Sequence, residues 1–397
     1  MPEESLIYWL WIVQVMGIAH KETPFLTEKF PDIREMYEQM LNPDCDFMKE
    51  HQKKRARQIT LKKSEEMLML CRKQEINIMT WNSEAYPERL RNIYNPPAIL
   101  FYRGNPACLK NEKLLTAVGT RYPSEYSQFA AERLYHELAR SGYMLVSGCA
   151  VGLDTAAHRA AIQNEKPTIA VLGCGIDRNY PTGSRELKEK ITENGLLLTE
   201  YFPGTPPYGT NFPVRNRILI GISKALLVTE AGIDSGCMVT ANLACEQGKS
   251  VFCIPPADIY AGRYAGQVKL LREGAFPVYG AQEVIQEMEH SKKKPEEKHL
   301  PKRKLRKKSR KSKPVDAEPV QPSAGAQNTE WNSLSEEEQI IIRSLSESQK
   351  NLNMLCCVTG MKFEAISIHL VELEMLGWIS SSDGIFYRVT EKYQPGA

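Results

Sequence analysis

Short apolar runs recur through the middle of the chain, each ending in glycine, serine, proline or a charged residue. They occupy 114–119, 143–147, 168–172, 196–200, 225–229 and 251–254, with stretches of helical spacing between them. Within the runs polar and apolar residues do not alternate, which predicts strands covered on both faces and hence a parallel sheet. Crossovers of this length are helical and right-handed. After the first run, Ser124 is placed to cap a helix that reaches Arg140, and Gly142 to stop it. The expected fold is α/β, a Rossmann-like doubly wound, mostly parallel sheet.

The pattern changes on either side. Over Leu6 to Gln14, Pro31 to Met40 and Lys53 to Arg72, apolar residues fall at three- and four-residue intervals, so the first eighty residues read as helical. NPPAILFYRGN from Asn95 adds one strand before the regular alternation begins. Near the other end, helices are expected at Ser335–Ser346, Leu352–Val358 and Lys362–Leu376. Two short strands at Trp378 and Ile385 then turn at Asp383-Gly384, completing a winged helix. Four segments follow from this: a helical domain over 1–80, the Rossmann-like domain over 81–290, a linker over 291–330 and a winged-helix domain over 331–397.

Composition sharpens the division. At 397 residues the chain exceeds one ordinary core, and 42% hydrophobic with 25% charged residues is globular. Leu6 to Val15 follows Glu3 and Glu4 rather than a basic region and is too short to span a membrane. It reads as a buried helix of a cytoplasmic protein. Ten cysteines are scattered without a C-x-x-C or zinc spacing, as expected of small buried side chains in a reducing compartment. The net charge of +3 conceals an asymmetry. Residues 291–329 hold thirteen Lys/Arg against four Asp/Glu, whereas 330–397 hold five against ten. A basic stretch so poor in apolar residues reads as disordered and suited to nonspecific contact with a polyanion.

Candidate chemistry gathers where the runs end. In an open parallel sheet those ends line one crevice, where ligands bind. Arg121 follows a strand and Gly119-Thr120 just before a helix, which suits a phosphate oxygen. Ser147, Gly148 and Gly152 stand where the chain turns into the next helix, and small residues there let a ligand approach the backbone. Asp154 reads as a helix cap and His158 as a structural side chain rather than a catalytic pair. Phe212, Arg215, Asn216 and Arg217 combine cations with a ring able to lie under a base, although a carboxylate such as Glu200 or Glu230 would make one arginine structural. Ser235 and Gly236 open another helix, again suiting an anion. No G-x-G-x-x-G, G-x-S-x-G or H-E-x-x-H occurs, so neither dinucleotide binding nor a nucleophilic or metal-dependent active site is expected.

These residues lie in motifs that resemble the DprA/Smf family of DNA-processing proteins: VGTRYPSEYS from Val118, SGCAVGLDTAAHRAA from Ser147, TIAVLGCGIDRNYP from Thr168, LLLTEYFPGTPP from Leu196, NFPVRNRILIGIS from Asn211 and EAGIDSGCMVTANLACEQGKSVFCIP from Glu230. The resemblance spans about Asn77 to Val278. It implies a Rossmann-like domain that binds single-stranded DNA, helps load RecA during natural transformation, forms homodimers and catalyses nothing on small molecules. The family's Gly-Thr-Arg loop falls on Gly119, Thr120 and Arg121, and its F-P-x-R-N-R stretch on Phe212 to Arg217. The chain departs from the pattern at Ser184, Cys237, Pro256 and Val268. The full expected DNA-contact set is Gly119, Thr120, Arg121, Ser147, Gly148, Gly152, Arg185, Phe212, Arg215, Asn216, Arg217, Ser235 and Gly236, with no metal and no cofactor. Two alternatives stand beside it. One is a Rossmann-type nucleoside monophosphate hydrolase, against which the 230–241 loop lacks the P-G-G-x-G-T run and its glutamate. The other is an adaptor acting mainly through the acidic winged helix.

Overall fold

The computed structural model describes residues 3–290 apart from Lys21 and Pro43, together with parts of 331–390. The chain divides into two compact units, Met1–His299 and Leu300–Ala397. The expected linker over 291–330 lies outside the described residues, as do the Asp383-Gly384 turn and much of the helices expected at Leu352–Val358 and Lys362–Leu376.

The first unit opens with helices α1 (Glu3–Met16), α2 (Leu26–Lys29), α3 (Ile33–Leu41), α4 (Glu50–Gln58) and α5 (Leu61–Lys73). Helix α1 is apolar almost all round because α3, α4, α5 and the sheet enclose it, burying Trp9, Trp11, Ile12 and Val15. Where one helix is expected over Lys53 to Arg72, there are two. Ile59 and Thr60, side by side and β-branched, take extended conformations and end α4 before α5 begins. Residues 77–80, read as part of the helical segment, instead form strand β1 (Asn77–Thr80), paired antiparallel with β2 (Ile99–Gly104). Tertiary pairing overrides the local spacing in so short a stretch. The helices share one continuous hydrophobic core with this side of the sheet, from Trp9 and Met36 to Phe101 and Leu198.

After the one-turn helix α6 (Glu88–Arg91) and β2, alternation proceeds as β3 (Leu114–Val118), α7 (Glu125–Arg140), β4 (Met144–Ser147), α8 (Leu153–Gln163), β5 (Ile169–Val171), α9 (Arg185–Asn194), β6 (Leu196–Thr199), α10 (Asn211–Ile222), β7 (Ala225–Val228), α11 (Gly236–Glu246), β8 (Ser250–Cys253), α12 (Ala265–Arg272), β9 (Phe276–Pro277) and α13 (Ala281–His290). The strands stand in the order β1-β2-β6-β5-β4-β3-β7-β8-β9. All neighbours are parallel from β6 to β9; β2 runs against them, and β1, antiparallel to β2, runs in their direction again. Every residue of β3 through β7 is buried, as expected of strands covered on both faces. From β3 the chain moves outward through β4, β5 and β6, then returns to place β7 on the other side of β3, with Val118 opposite Val228. That reversal opens a crevice beyond the carboxyl ends of β3 and β7.

The second unit holds helix α14 (Glu336–Glu347) and a sheet of β10 (Lys350–Asn351), β11 (Ile379–Ser382) and β12 (Phe386–Val389), ordered β10-β12-β11. Its apolar core includes Ile341, Leu345, Leu370, Leu373 and Trp378. Ser335 and Glu338 cap the start of α14 reciprocally: the Glu338 carboxylate accepts from Ser335 N–H at 2.7 Å, and Ser335 Oγ accepts from Glu338 N–H at 3.2 Å.

Candidate nucleic-acid interface

Leaving β3, residues 119–121 cross the sheet edge and enter α7, where Ser124 Oγ accepts from Ser127 N–H at 3.1 Å as the N-cap. The loop is pinned from below. Thr120 N–H donates to the Glu230 carbonyl at 3.0 Å, and the Glu230 carboxylate receives Ser124 N–H, Ser124 Oγ and Arg263 Nε at 2.9, 2.8 and 3.0 Å. Burial alone would push this carboxyl up, but the donors from Ser124 and Arg263 more than offset it and hold it below the ordinary carboxylate range. Glu230 is therefore an ionised brace for the loop. Arg121 stands free above it: exposed, with no hydrogen bond or ion pair among the described residues.

The glycines do something other than the sequence reading expects. A Cβ on Gly119 would stand 2.4 Å from Leu153 and from Thr229, one on Gly148 2.5 Å from Arg215, and one on Gly152 2.6 Å from the carbonyls of Thr120 and Arg121. They permit close approach of the protein to itself, knitting the loops after β3 and β4, rather than close approach of a ligand. Gly152 adds a φ of +80°, which disfavours any side chain. Gly236 alone among the expected glycines faces open space. It begins α11 directly after Ser235, whose side chain makes no capping bond to that helix; Met238 N–H is taken by the Ser235 carbonyl at 3.0 Å, which leaves the Gly236 and Cys237 N–H groups at the helix start.

A narrow cleft of about 40 Å³ lies beyond β3, β4 and β5, and Arg121, Gly148, Gly173, Tyr180 and Phe212 all line it. Phe212, in the first turn of α10, seats its ring on Gly173, where a Cβ would come within 2.8 Å. The Tyr180 ring lies 5.6 Å away at 44°, and the Arg215 guanidinium 5.8 Å from the Phe212 centroid. One free cation and a pair of tilted rings thus meet beyond the carboxyl ends of β3, β4 and β5. Tyr180 escaped the sequence reading: the RNYP stretch carries it, but only the fold of the loop after β5 sets it beside Phe212.

Four residues expected to contact DNA are instead internal. Arg215 is buried and donates to the carbonyls of Gly148, at 3.0 Å, and Val171, and to Asn216 Oδ1 at 3.1 Å. Asn216 passes the chain on to Thr240 Oγ1 at 2.9 Å. Arg217 pairs with Glu200 at 2.6 Å, both side chains almost wholly buried, and also donates to the Asn95 carbonyl at 2.8 Å. Ser147 is fully buried, its hydroxyl donating to the Ala117 carbonyl at 2.7 Å. Carbonyls at and just past strand ends lack ladder partners, and the buried Ser147 hydroxyl and Arg215 guanidinium answer them, while Asn216 ties Arg215 to Thr240 and Arg217 meets a buried carboxylate. Arg185 does not join the cleft; it borders a separate cavity over α9.

Asp154 and His158 are likewise structural. Asp154 Oδ2 accepts from Gly148 N–H and Ala150 N–H at 3.2 and 3.3 Å, bracing the loop before α8, while the cap position itself is Gly152. His158 is fully buried, with Nδ1 2.8 Å from Thr168 Oγ1, whose hydroxyl donates onward to the Leu145 carbonyl. Thr168 therefore accepts and His158 Nδ1 carries the proton. Burial, with Arg215 nearby, pushes the imidazole down to about 3. At the cleft, burial pushes the Cys149 thiol up to about 11, which leaves no thiolate nucleophile at neutral pH. Among the described residues one group has the spacing of metal ligands, Glu338, His369 and Glu372, and it belongs to the second unit.

Comparison with known proteins agrees with the motifs. The profile of the DNA recombination-mediator protein A family matches residues 77–289. The DNA processing protein DprA of Streptococcus pneumoniae is 41% identical over 206 residues, covering 52% of this chain and 72% of that protein. That of Bacillus subtilis is 36% identical over 224 residues, covering 56% of this chain and 74% of that protein. Among solved structures, the S. pneumoniae DprA crystal structure superposes with a TM-score of 0.59 at 32% identity, over 72% of this chain and 95% of that one. A DprA structure from Helicobacter pylori, described for its mode of binding single-stranded DNA, gives 0.50 at 29% identity, over 55% and 97%. A doubly wound, mostly parallel sheet is the shared frame. The chain belongs to the DNA recombination-mediator protein A (DprA) family.

Proposed function

We propose that this protein binds single-stranded DNA without reading its sequence and delivers it to the RecA recombinase during DNA uptake and recombination, with no chemistry of its own. It acts in the cytoplasm as a homodimer joined through the Rossmann-like domain. The observation that carries this reading is Arg121: an exposed, unpaired guanidinium on a loop braced by Glu230, beside Phe212 and Tyr180. Arg121 and the N–H groups that open α11 after Ser235, at Gly236 and Cys237, hold phosphates, Gly119 and Thr120 shape the loop, and a base stacks on Phe212. Arg215, Asn216 and Arg217 position this surface from within. The basic residues of 292–313 add nonspecific contacts, and the acidic domain over 331–397 contacts protein rather than DNA.

Arg121→Ala tests the core of this. One charge-assisted contact is worth about 1.5–3 kcal/mol, so affinity for an oligothymidylate should fall roughly 10- to 100-fold. The log–log salt slope should shrink by about 0.7. Filter-binding curves over a salt series that coincide for variant and parent would remove Arg121 from the interface.

A further inference from the structure

A second cavity in the first unit, about 380 Å³, lies away from the cleft. It opens over α9 and the β2–β6 edge, on the other side of the loop that carries Tyr180. Four cations line it, Arg103, Arg178, Arg185 and Lys188, against two carboxylates, Asp177 and Glu189. Among the described residues none of the four forms an ion pair. Their hydrogen bonds go to neutral carbonyls: Arg178 to Gly204, Arg103 Nη2 to Gln74 at 2.6 Å, and Lys188 Nζ to Arg178 at 2.8 Å. Asp177 is itself engaged, its Oδ1 accepting from Gly204 N–H at 2.8 Å.

What remains is a set of unspent donors around a space. Arg103 Nε has no partner. Lys188 is 6% exposed and spends one of its three N–H groups. The Arg185 guanidinium, at the start of α9, makes no hydrogen bond among the described residues. Burying a lysine costs free energy unless an anion or several acceptors attend it. Accordingly, burial lowers the Lys188 pKa, only partly offset by Cys149, Cys174 and Asp177, and Arg103 adds to the lowering. Water alone would solvate these groups without neutralising them, whereas a compact dianion would satisfy several donors at once.

We propose that this cavity is a second anion site that takes a phosphate group, held by Lys188 and Arg103 with Arg185 at its mouth. The phosphate has two sources, a free nucleotide or the backbone of a bound strand, and both present the same oxygens to these donors. This goes beyond the proposed DNA contact at Arg121 and does not depend on it.

Isothermal titration of the full chain with thymidine 5′-monophosphate, and separately with inorganic phosphate, provides the test. Binding is expected, and in an Arg121→Ala background, which removes the cleft's own phosphate contact, it is weakened roughly tenfold or more by Lys188→Met. Arg185→Gln, on an exposed position, serves as the second variant should Lys188→Met fold poorly by circular dichroism, with a loss of roughly threefold expected. No heat at millimolar ligand, or parental affinity in both Lys188→Met and Arg185→Gln, overturns the proposal. An unphosphorylated oligothymidylate then separates the sources. Displacement of the nucleotide identifies the site as a stop for backbone phosphates, and independent binding identifies a small-molecule site. Failure at Arg121 would appear only in the oligonucleotide curves, so the two readings fail separately.

Discussion

Replacing Arg217 by methionine removes the cation from the Glu200 carboxylate while keeping most of the side chain's volume. In the parent, Glu200 Oε2 receives Arg217 at 2.6 Å and Oε1 receives Ala19 N–H at 3.1 Å, with the two side chains 3% and 8% exposed. The variant strands a buried charge with a single donor and frees the Asn95 carbonyl, which Arg217 Nε holds at 2.8 Å. Breaking a buried pair from one side costs about 3–5 kcal/mol. With a urea slope of roughly 3–4 kcal/mol/M for a unit of this size, the midpoint should fall by about 1 M. Glu200→Gln added to Arg217→Met removes the stranded charge and retains an acceptor for Ala19, so it should recover roughly 1–3 kcal/mol. Circular dichroism and tryptophan fluorescence follow the transition, since Trp9, Trp11 and Trp81 are all buried in this unit. Folded Arg217→Met should also bind oligothymidylate nearly as the parent does. A parental midpoint combined with a loss of DNA affinity as large as that of Arg121→Ala would refute the structural role and return Arg217 to the interface.

Two other outcomes follow from the same geometry. His158 is neutral in the folded chain down to about pH 3, whereas unfolded histidine takes a proton near pH 6.5. Its contribution is therefore complete above 6.5 and is lost as pH falls toward 3, reaching a loss of about 2 kcal/mol at pH 5. Urea midpoints at pH 7.5 and pH 5 should separate less in His158→Gln than in the parent, and equal separations would contradict the buried neutral imidazole. Gly173→Ala places a carbon 2.8 Å from the Phe212 ring and must displace it; affinity for single-stranded DNA should drop by about 1–3 kcal/mol as the stack is lost. Parental affinity in both Gly173→Ala and Phe212→Ala would exclude a base on Phe212.

What the sequence determined by itself is the framework. Unalternating apolar runs predicted β3 through β8 to within a residue or two, because strands covered on both faces have no polar side to show. Ser124 was legible as the cap of α7 because capping is local chemistry, and the motifs carried the family. Arg121 was legible too, since its place at a strand end above a helix start follows from chain order alone. Tertiary structure decided the division of labour among the rest. Arginines only two positions apart in one motif look alike in sequence, yet helical geometry sends Arg217 to Glu200 and Arg215 to the carbonyls after β4 and β5. The glycines of 119, 148 and 152 look equally like a ligand cradle until their neighbours are seen to be the protein's own atoms. Which polar group is spent inside and which stays free for a partner depends on contacts between residues tens to more than a hundred positions apart, such as Glu230 with Ser124 or Arg217 with Asn95. No local pattern encodes those, because burial and pairing are properties of the packed chain.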